Sequence, residues 1–343
     1  MRGSLDREIS ESLRHAHGLL QPISRMVGDA NRSSTDTGAL MSLLVVGSVA
    51  FDALETPFGR VDRTLGGAAS YFALAASQFT PVRVVAIVGE DFTAKDRAVF
   101  HGRPIDLSGL EHAPGKTFFW AGRYSQNMNE RTTLATELNV FANFNPTIPD
   151  AYLDSSSIFL GNIDPTLQRS VLKQVPRKPK VVGLDTMNYW IERTPDALRE
   201  TLKCTDILMI NDEETRQLTG EYNLLRAAKR VFKMGPRTLV IKRGEYGALM
   251  VHNRFLFSVP AFPLEEVHDP TGAGDSFAGG FMGSLASAGR ITELTLRRAM
   301  VYGSVLGSFA VERFGVERLA TLKRGEIQAR ARRFLKLTTF KLA

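Results

Sequence analysis

The segment Asp269-Pro270-Thr271-Gly272-Ala273-Gly274-Asp275 concentrates the residue types most able to do chemistry. Gly272, Ala273 and Gly274 carry little or no side chain, so their backbone N–H groups can point at an anion. Ser276–Leu285 reads as a helix, which puts this turn at a helix N-terminus, where the dipole favours phosphate oxygens. Asp275 falls at the junction, a common place for an N-cap aspartate, so a capped structural turn is the competing reading. Gly279 and Gly280 weigh against it. Glycine inside a helix costs about 1 kcal/mol relative to alanine, which implies close packing or close approach of a ligand. The chain has no G-x-x-x-x-G-K-[ST] phosphate loop. It also has no G-x-S-x-G elbow, because Gly303-Ser304-Val305-Leu306-Gly307 misplaces the serine.

Positioning such a turn needs a scaffold, and the hydrophobic pattern supplies one from Met41 onward. Strands are predicted at Leu43–Val46, Arg83–Val88, Ser157–Leu160, Val181–Leu184, Ile207–Ile210 and Thr238–Lys242. Helices are predicted at Ala68–Gln78, Thr166–Gln174, Asp196–Leu202, Asp212–Leu218, Leu224–Met234 and Ser276–Ala288. Apolar strands alternating with helices imply a parallel sheet covered on both faces. Two stretches of different texture, near residues 53–65 and 117–143, mix polar and aromatic residues in extended-looking runs and could pair into a small lid sheet. Residues 1–40 read as an extension, with a short amphipathic helix on Leu5, Ile9, Leu13 and Ala16 and a linker from Gly28 to Gly38; the main domain spans 41–343.

The chain has 343 residues and a net charge of +7. From Arg318 onward eight basic residues face Glu326 alone, so that stretch carries the whole excess. Ile327, Ala331, Phe334 and Leu335 recur there at helical spacing. The expectation is a terminal helix with a solvated basic face, not a nucleic-acid surface, since no aromatic residues interleave for base stacking. No apolar run reaches the roughly 18 residues of a transmembrane helix, so no membrane partner is expected. Cys204 is the single cysteine, which excludes an intrachain disulfide and fits a cytoplasmic location.

Four stretches, in order, carry a resemblance to a known family. Gly66-Gly67-Ala68-Ala69 before a helix, followed by Val88-Gly89-Glu90-Asp91-Phe92, looks like an N-terminal signature. Asn211-Asp212-Glu213-Glu214 matches an N-x-x-E motif, Lys242-Arg243-Gly244 with Gly247 looks like a nucleotide-phosphate loop, and the Asp269–Phe281 segment matches the C-terminal signature. Over Met41 to about Gly315 the chain resembles the ribokinase-like (PfkB) carbohydrate kinases. The resemblance implies a three-layer α/β/α, doubly wound, mainly parallel sheet with a small β lid. It also implies ATP-dependent phosphorylation of a hydroxymethyl group on a sugar or sugar derivative. Asp275 would be the general base, and backbone amides of Gly272, Ala273, Gly274 and Asp275 the anion hole. Lys242, Gly244, Gly247, Gly272 and Gly274 would bind ATP. Asn211 and Glu214 would organise Mg²⁺, and Asp52, Gly66, Gly67 and Asn162 would contact the acceptor.

The resemblance extends to a monovalent-cation (K⁺) site at Asp269 and Thr271, with the Ala310 and Gly315 carbonyls as partners, and to homodimerisation through the lid. Asp185 resembles a family aspartate near the metal, although the arginine expected shortly after it is absent. Two alternatives stand beside the sugar reading: a nucleoside kinase of the same fold, with Phe118, Phe119, Trp120 and Tyr124 available for stacking or lid packing, and a non-catalytic regulator. The base and the anion-hole glycines are both present, which weighs against the regulator.

Overall fold

A computed structural model describes residues 42–339. The predicted N-terminal helix and linker lie outside the described residues. In chain order the strands are β1 (Leu43–Val46), β2 (Ala50–Thr56), β3 (Gly59–Gly66), β4 (Val82–Val88), β5 (Ile105–His112), β6 (Phe118–Tyr124), β7 (Arg131–Glu137), β8 (Ser157–Leu160), β9 (Val181–Leu184), β10 (Ile207–Asn211), β11 (Thr238–Lys242), β12 (Ala248–His252) and β13 (Leu256–Val259). The α-helices are α1 (Ala68–Ala76), α2 (Ala94–Ala98), α3 (Pro165–Gln174), α4 (Asn188–Arg193), α5 (Pro195–Leu202), α6 (Asp212–Thr219), α7 (Leu224–Met234), α8 (Ala273–Ala288), α9 (Glu293–Ala310), α10 (Glu317–Thr321) and α11 (Arg324–Thr338).

Among the described residues two sheets form. The large one has the order β13-β12-β11-β10-β9-β8-β1-β4-β5, parallel from β11 to β5 with β12 and β13 added antiparallel. Strand β1 at its centre is fully buried, because it is covered on both faces. Leu43 and Val45 join the core under α1, α8 and α9, while Leu44 and Val46 join the core on the opposite face with Val171, Leu198 and Val231 of α3, α5 and α7. The strands are therefore continuous apolar runs, without alternation.

The topology explains where a site can form. Parallel strands β1, β8, β9, β10 and β11 end their carboxyl termini on one edge, so Gly161–Asn162, Asp185, Asn211 and Lys242 emerge side by side. The chain order reverses around β1, with β8 on one flank and β4 on the other, which opens a crevice at that edge. The second sheet, β3-β2-β6-β7, is a small lid-like sheet whose outer strand β7 is mostly exposed.

Two expectations are corrected. Helix α8 starts at Ala273, and Gly272 is its N-cap with φ 71°, so Asp275 lies inside the first turn and does not cap it. The cause is steric: a Cβ at Gly272 would lie 2.4 Å from ring carbons of Tyr71, so the left-handed cap must be glycine. The basic C-terminal face is not wholly solvated either. Arg318 pairs with Glu312 (2.7 Å) and Glu326 (2.5 Å), while Arg330 pairs with Glu312 (2.5 Å) and sits 3.5 Å from the Phe309 ring centroid. Their charge locks α11 onto α9. Gly279 and Gly280 prove to be packing residues: a Cβ would lie 2.4 Å from the Phe72 carbonyl oxygen of α1 and 2.7 Å from that of Tyr302 in α9.

Candidate active site

The turn before α8 is held from both ends. Asp269 is fully buried, and its Oδ1 accepts the Thr271 N–H at 2.8 Å while Oδ2 accepts the Gly315 N–H at 2.8 Å. Burial pushes its carboxyl up to about 6, against those donors. The Thr271 hydroxyl pairs with the Tyr124 hydroxyl of β6 at 2.9 Å, which ties the lid to the turn. Both side chains predicted for a monovalent-cation site thus hold the turn's own backbone and the lid. The Gly272 carbonyl accepts the Ser276 N–H at 2.8 Å and the Ser276 hydroxyl at 2.7 Å. The amides of Gly274 and Asp275 lie in the first turn of α8, where backbone N–H groups have no intrahelical carbonyl to meet.

On one side of this turn stands Lys242, at the end of β11. Its Nζ donates to Asp185 Oδ2 at 2.9 Å. A Cβ at Gly274 would come 3.2 Å from that Nζ, so the ammonium lies over the start of α8. Burial disfavours the charged lysine, but Asp185, Glu214 and Asp275 outweigh it and hold its pKa up. Burial and the nearby Asp185 push Asp275 up to about 7, with Lys242 and Arg131 pulling the other way. Glu214 is likewise pushed to about 7 by burial and Asp185.

Asn211 and Glu214 close a reciprocal capping box on α6. The Asn211 side chain accepts the Glu214 N–H at 2.7 Å, and Glu214 Oε2 accepts the Asn211 N–H at 2.8 Å. Their predicted metal role therefore falls on the remaining Glu214 oxygen, with Asp185 beside it. Among the described residues no three acidic, His or Cys side chains converge tightly enough to bind a metal unaided. Gly244 (φ 52°) and Gly247 (φ 82°) shape the β11–β12 turn; a Cβ on Gly247 would lie 2.1 Å from the Val259 carbonyl oxygen. The β6–β7 connection reaches this loop, Asn129 Nδ2 donating to Glu245 Oε1 at 3.2 Å.

On the other side lies Asp52, in β2 at a bulge and buried. Burial first, then Asp269 and Asp275, push its carboxyl up to about 8. Gly66 is needed because a Cβ would lie 1.9 Å from Asp52 Oδ2, and Gly67 (φ 88°) because the chain turns against Ser48 before α1. Asn162 follows β8 and is hydrogen-bonded within the protein. Its Oδ1 accepts the Trp190 Nε1–H at 3.0 Å and its Nδ2 meets Met187 Sδ at 3.0 Å, so its amide holds the β9–α4 connection. Phe118 stacks on Phe141, a packing role for that lid aromatic.

Sequence reasoning did not place Tyr71 and Arg131 beside this turn, where the ring of Tyr71 meets Gly272 and the charge of Arg131 acts on Asp275. Tyr71 looks like one more apolar residue of α1, and Arg131 like a solvated charge on an edge strand. The only available signal for Arg131 was its place opposite Tyr124 across the lid hairpin, which needs the register to be known.

Comparisons with known proteins agree with this geometry. Residues 42–321 match the pfkB family carbohydrate kinase domain. A cytidine kinase of Thermococcus kodakarensis is 32% identical over 264 residues, covering 75% of this chain and 93% of the relative. A 2-dehydro-3-deoxygluconokinase of Escherichia coli is 26% identical over 255 residues, covering 65% and 79%. Among solved structures, a Methanocaldococcus jannaschii nucleoside kinase superposes with a TM-score of 0.69 at 19% identity, covering 86% of this chain and 99% of that one. A putative ribokinase II from E. coli, in complex with ATP and Mg²⁺, gives 0.70 at 20%, covering 85% and 99%. The two structures share the ribokinase fold, and with a match across 42–321 the chain belongs to the pfkB family of carbohydrate kinases, the sugar and nucleoside kinases.

Proposed function

We propose that the protein moves the γ-phosphoryl group of ATP onto a hydroxymethyl group of a small polyol, with Asp275 as the base. The observation that carries this reading is the convergence of base, cation and amide donors at the start of α8. Asp275 removes the hydroxyl proton as the oxygen attacks phosphorus. The Gly272–Asp275 amides receive the charge spreading over the phosphoryl oxygens, and Lys242 adds a positive charge over Gly274. A carboxyl near 7 suits a general base working around neutrality. Asp52 and Gly66 orient the acceptor by its hydroxyls.

Mg²⁺ fits the other flank. Asp185 and the second Glu214 oxygen are hard donors, buried together at a cost that a cation relieves, and this ion keeps most of its waters beside one or two carboxylates. When bound with ATP it supplies charge neutralisation for the phosphates. The chain's own residues do the positioning.

Replacing Asp275 by Asn keeps the shape and removes the base. Turnover is expected to fall by about 10²–10⁴-fold with ATP affinity retained and the melting temperature not lowered. Near-normal turnover in a folded Asp275→Asn protein would end the assignment. Within this reading a nucleoside acceptor is favoured by the cytidine kinase relative, which the match covers almost end to end. ATP consumption measured with cytidine, inosine, D-ribose and 2-dehydro-3-deoxygluconate separates nucleoside from sugar acceptors.

A further inference from the structure

The hydroxyl of Tyr71 is used by nothing described so far. The residue lies in α1, just past the Gly66-Gly67 turn, and is 1% exposed. The face of its ring covers Gly272, the cap of α8. Its hydroxyl oxygen is buried with no hydrogen-bond partner among the described residues. Packing alone would be served by phenylalanine, which fills the same space without burying an unsatisfied hydroxyl. The clamp against Gly272 fixes the oxygen where no protein acceptor comes within reach. What surrounds it is the site itself. Burial, then Asp269, Asp52, Tyr124 and Asp275, all raise its pKa, so it keeps its proton and remains a neutral donor.

Asp52 is buried at the same crevice, and burial first, then Asp269 and Asp275, raise its carboxyl to about 8, so near neutrality it holds a proton. An unpartnered hydroxyl and a buried carboxyl group thus flank the approach to Asp275. A compound with neighbouring hydroxyls satisfies both at once. We propose that the Tyr71 hydroxyl is a direct acceptor-binding group, donating a hydrogen bond to an oxygen of the hydroxymethyl substrate between Asp52 and Asp275. The proposal deepens the kinase reading above and rests on it.

Tyr71→Phe removes one oxygen and nothing else. The measurement is coupled ADP release with whichever of cytidine, inosine, D-ribose and 2-dehydro-3-deoxygluconate the parent protein phosphorylates, together with thermal unfolding of the unliganded variant. Expected are a KM for the acceptor raised about tenfold or more, a KM for ATP within about twofold, and an unliganded melting temperature equal to or above the parent's. That opposition between better apo stability and poorer acceptor binding is not produced by a packing residue. Unchanged acceptor kinetics overturn the proposal and leave the kinase reading standing. A lowered melting temperature with acceptor and ATP constants degraded together also overturns it, making Tyr71 structural. No turnover by the parent on cytidine, inosine, D-ribose or 2-dehydro-3-deoxygluconate overturns the reading beneath it.

Discussion

On the nucleotide side of α8 the buried charges already have partners. Lys242 meets Asp185 at 2.9 Å, and Asn211 and Glu214 satisfy each other's backbone N–H groups at 2.7 and 2.8 Å. On the proposed acceptor side Asp52 and Tyr71 are as deeply buried, and the Tyr71 hydroxyl has no hydrogen-bond partner among the described residues. The first side is thus preorganised by ion pairing within the protein, with the Lys242 ammonium over the start of α8, where the proposed reading puts ATP. In the proposed reading the acceptor side holds the cost of an unpaired Tyr71 hydroxyl, which a hydroxylated ligand would relieve. Such a site would discriminate, because a molecule lacking the right hydroxyl would leave that group unpaired.

The largest effect is expected from breaking the satisfied side. Lys242→Met would leave Asp185, Glu214 and Asp275 together without their cation. Removing one partner of a buried pair costs about 3–5 kcal/mol. The loss should depend on pH, because Glu214 and Asp275, both held near 7, can take protons and relieve the repulsion. Their folded pKa values exceed the unfolded ones, so stability falls as pH rises through about 7. Denaturant unfolding of the variant at pH 6 and pH 8 should show a larger deficit at pH 8, and the KM for ATP should rise. A deficit equal at both pH values would mean Lys242 does not hold the cluster.

The same contrast explains what the sequence revealed. The central strands and most helices were legible because β1, β8, β9 and β11 are continuous apolar runs bounded by turn residues. Edge strands β5 and β13, and β12 beside the latter, were not, since half-exposed patterns such as that of β5 look like loop. Asp275, Lys242 and Glu214 could be picked out as candidates because they lie in short local motifs, and the fold brings them together. Tyr71 could not, because the role proposed for it depends on a contact with Gly272, 201 positions away, and on the lack of a partner, neither of which is local. The contacts of the Asn162 amide with Trp190 and Met187 were hidden for the same reason.

A smaller effect, of opposite sign in two assays, is expected from Asp52→Asn. The folded carboxyl sits at about 8 against an ordinary 3.8. Between those values the folded state holds a proton that the unfolded state has released. Stability therefore falls as pH rises from about 4 to about 8, and the full penalty is present above that. Asparagine keeps the shape without the charge. The unliganded variant should match the parent near pH 4 and exceed it at pH 8.5, by about 1–3 kcal/mol. Acceptor KM should rise 10- to 100-fold, since hydrogen bonds to a charged group are lost. Equal stability at pH 8.5 would show that the carboxyl is not penalised, and the contrast between the two sides would lose half its basis.

The smallest effect concerns the lid, which bridges both sides. The Tyr124 hydroxyl meets the Thr271 hydroxyl at 2.9 Å, and Asn129 meets Glu245 at 3.2 Å in the β11–β12 turn. The first contact belongs to the phosphate turn and the second to the nucleotide loop, so the lid reports closure to both. Tyr124→Phe removes only the first. A neutral hydrogen bond contributes about 0.5–1.5 kcal/mol, so the melting temperature should move little. Its larger consequence should be chemical: a looser lid admits water to the transferring phosphoryl group. The ratio of ATP hydrolysis without acceptor to phosphorylation with acceptor should rise about fivefold, the equivalent of ~1 kcal/mol. An unchanged ratio would place water exclusion in the packed strands β2 and β6 themselves, with the Tyr124–Thr271 contact serving only to position the turn.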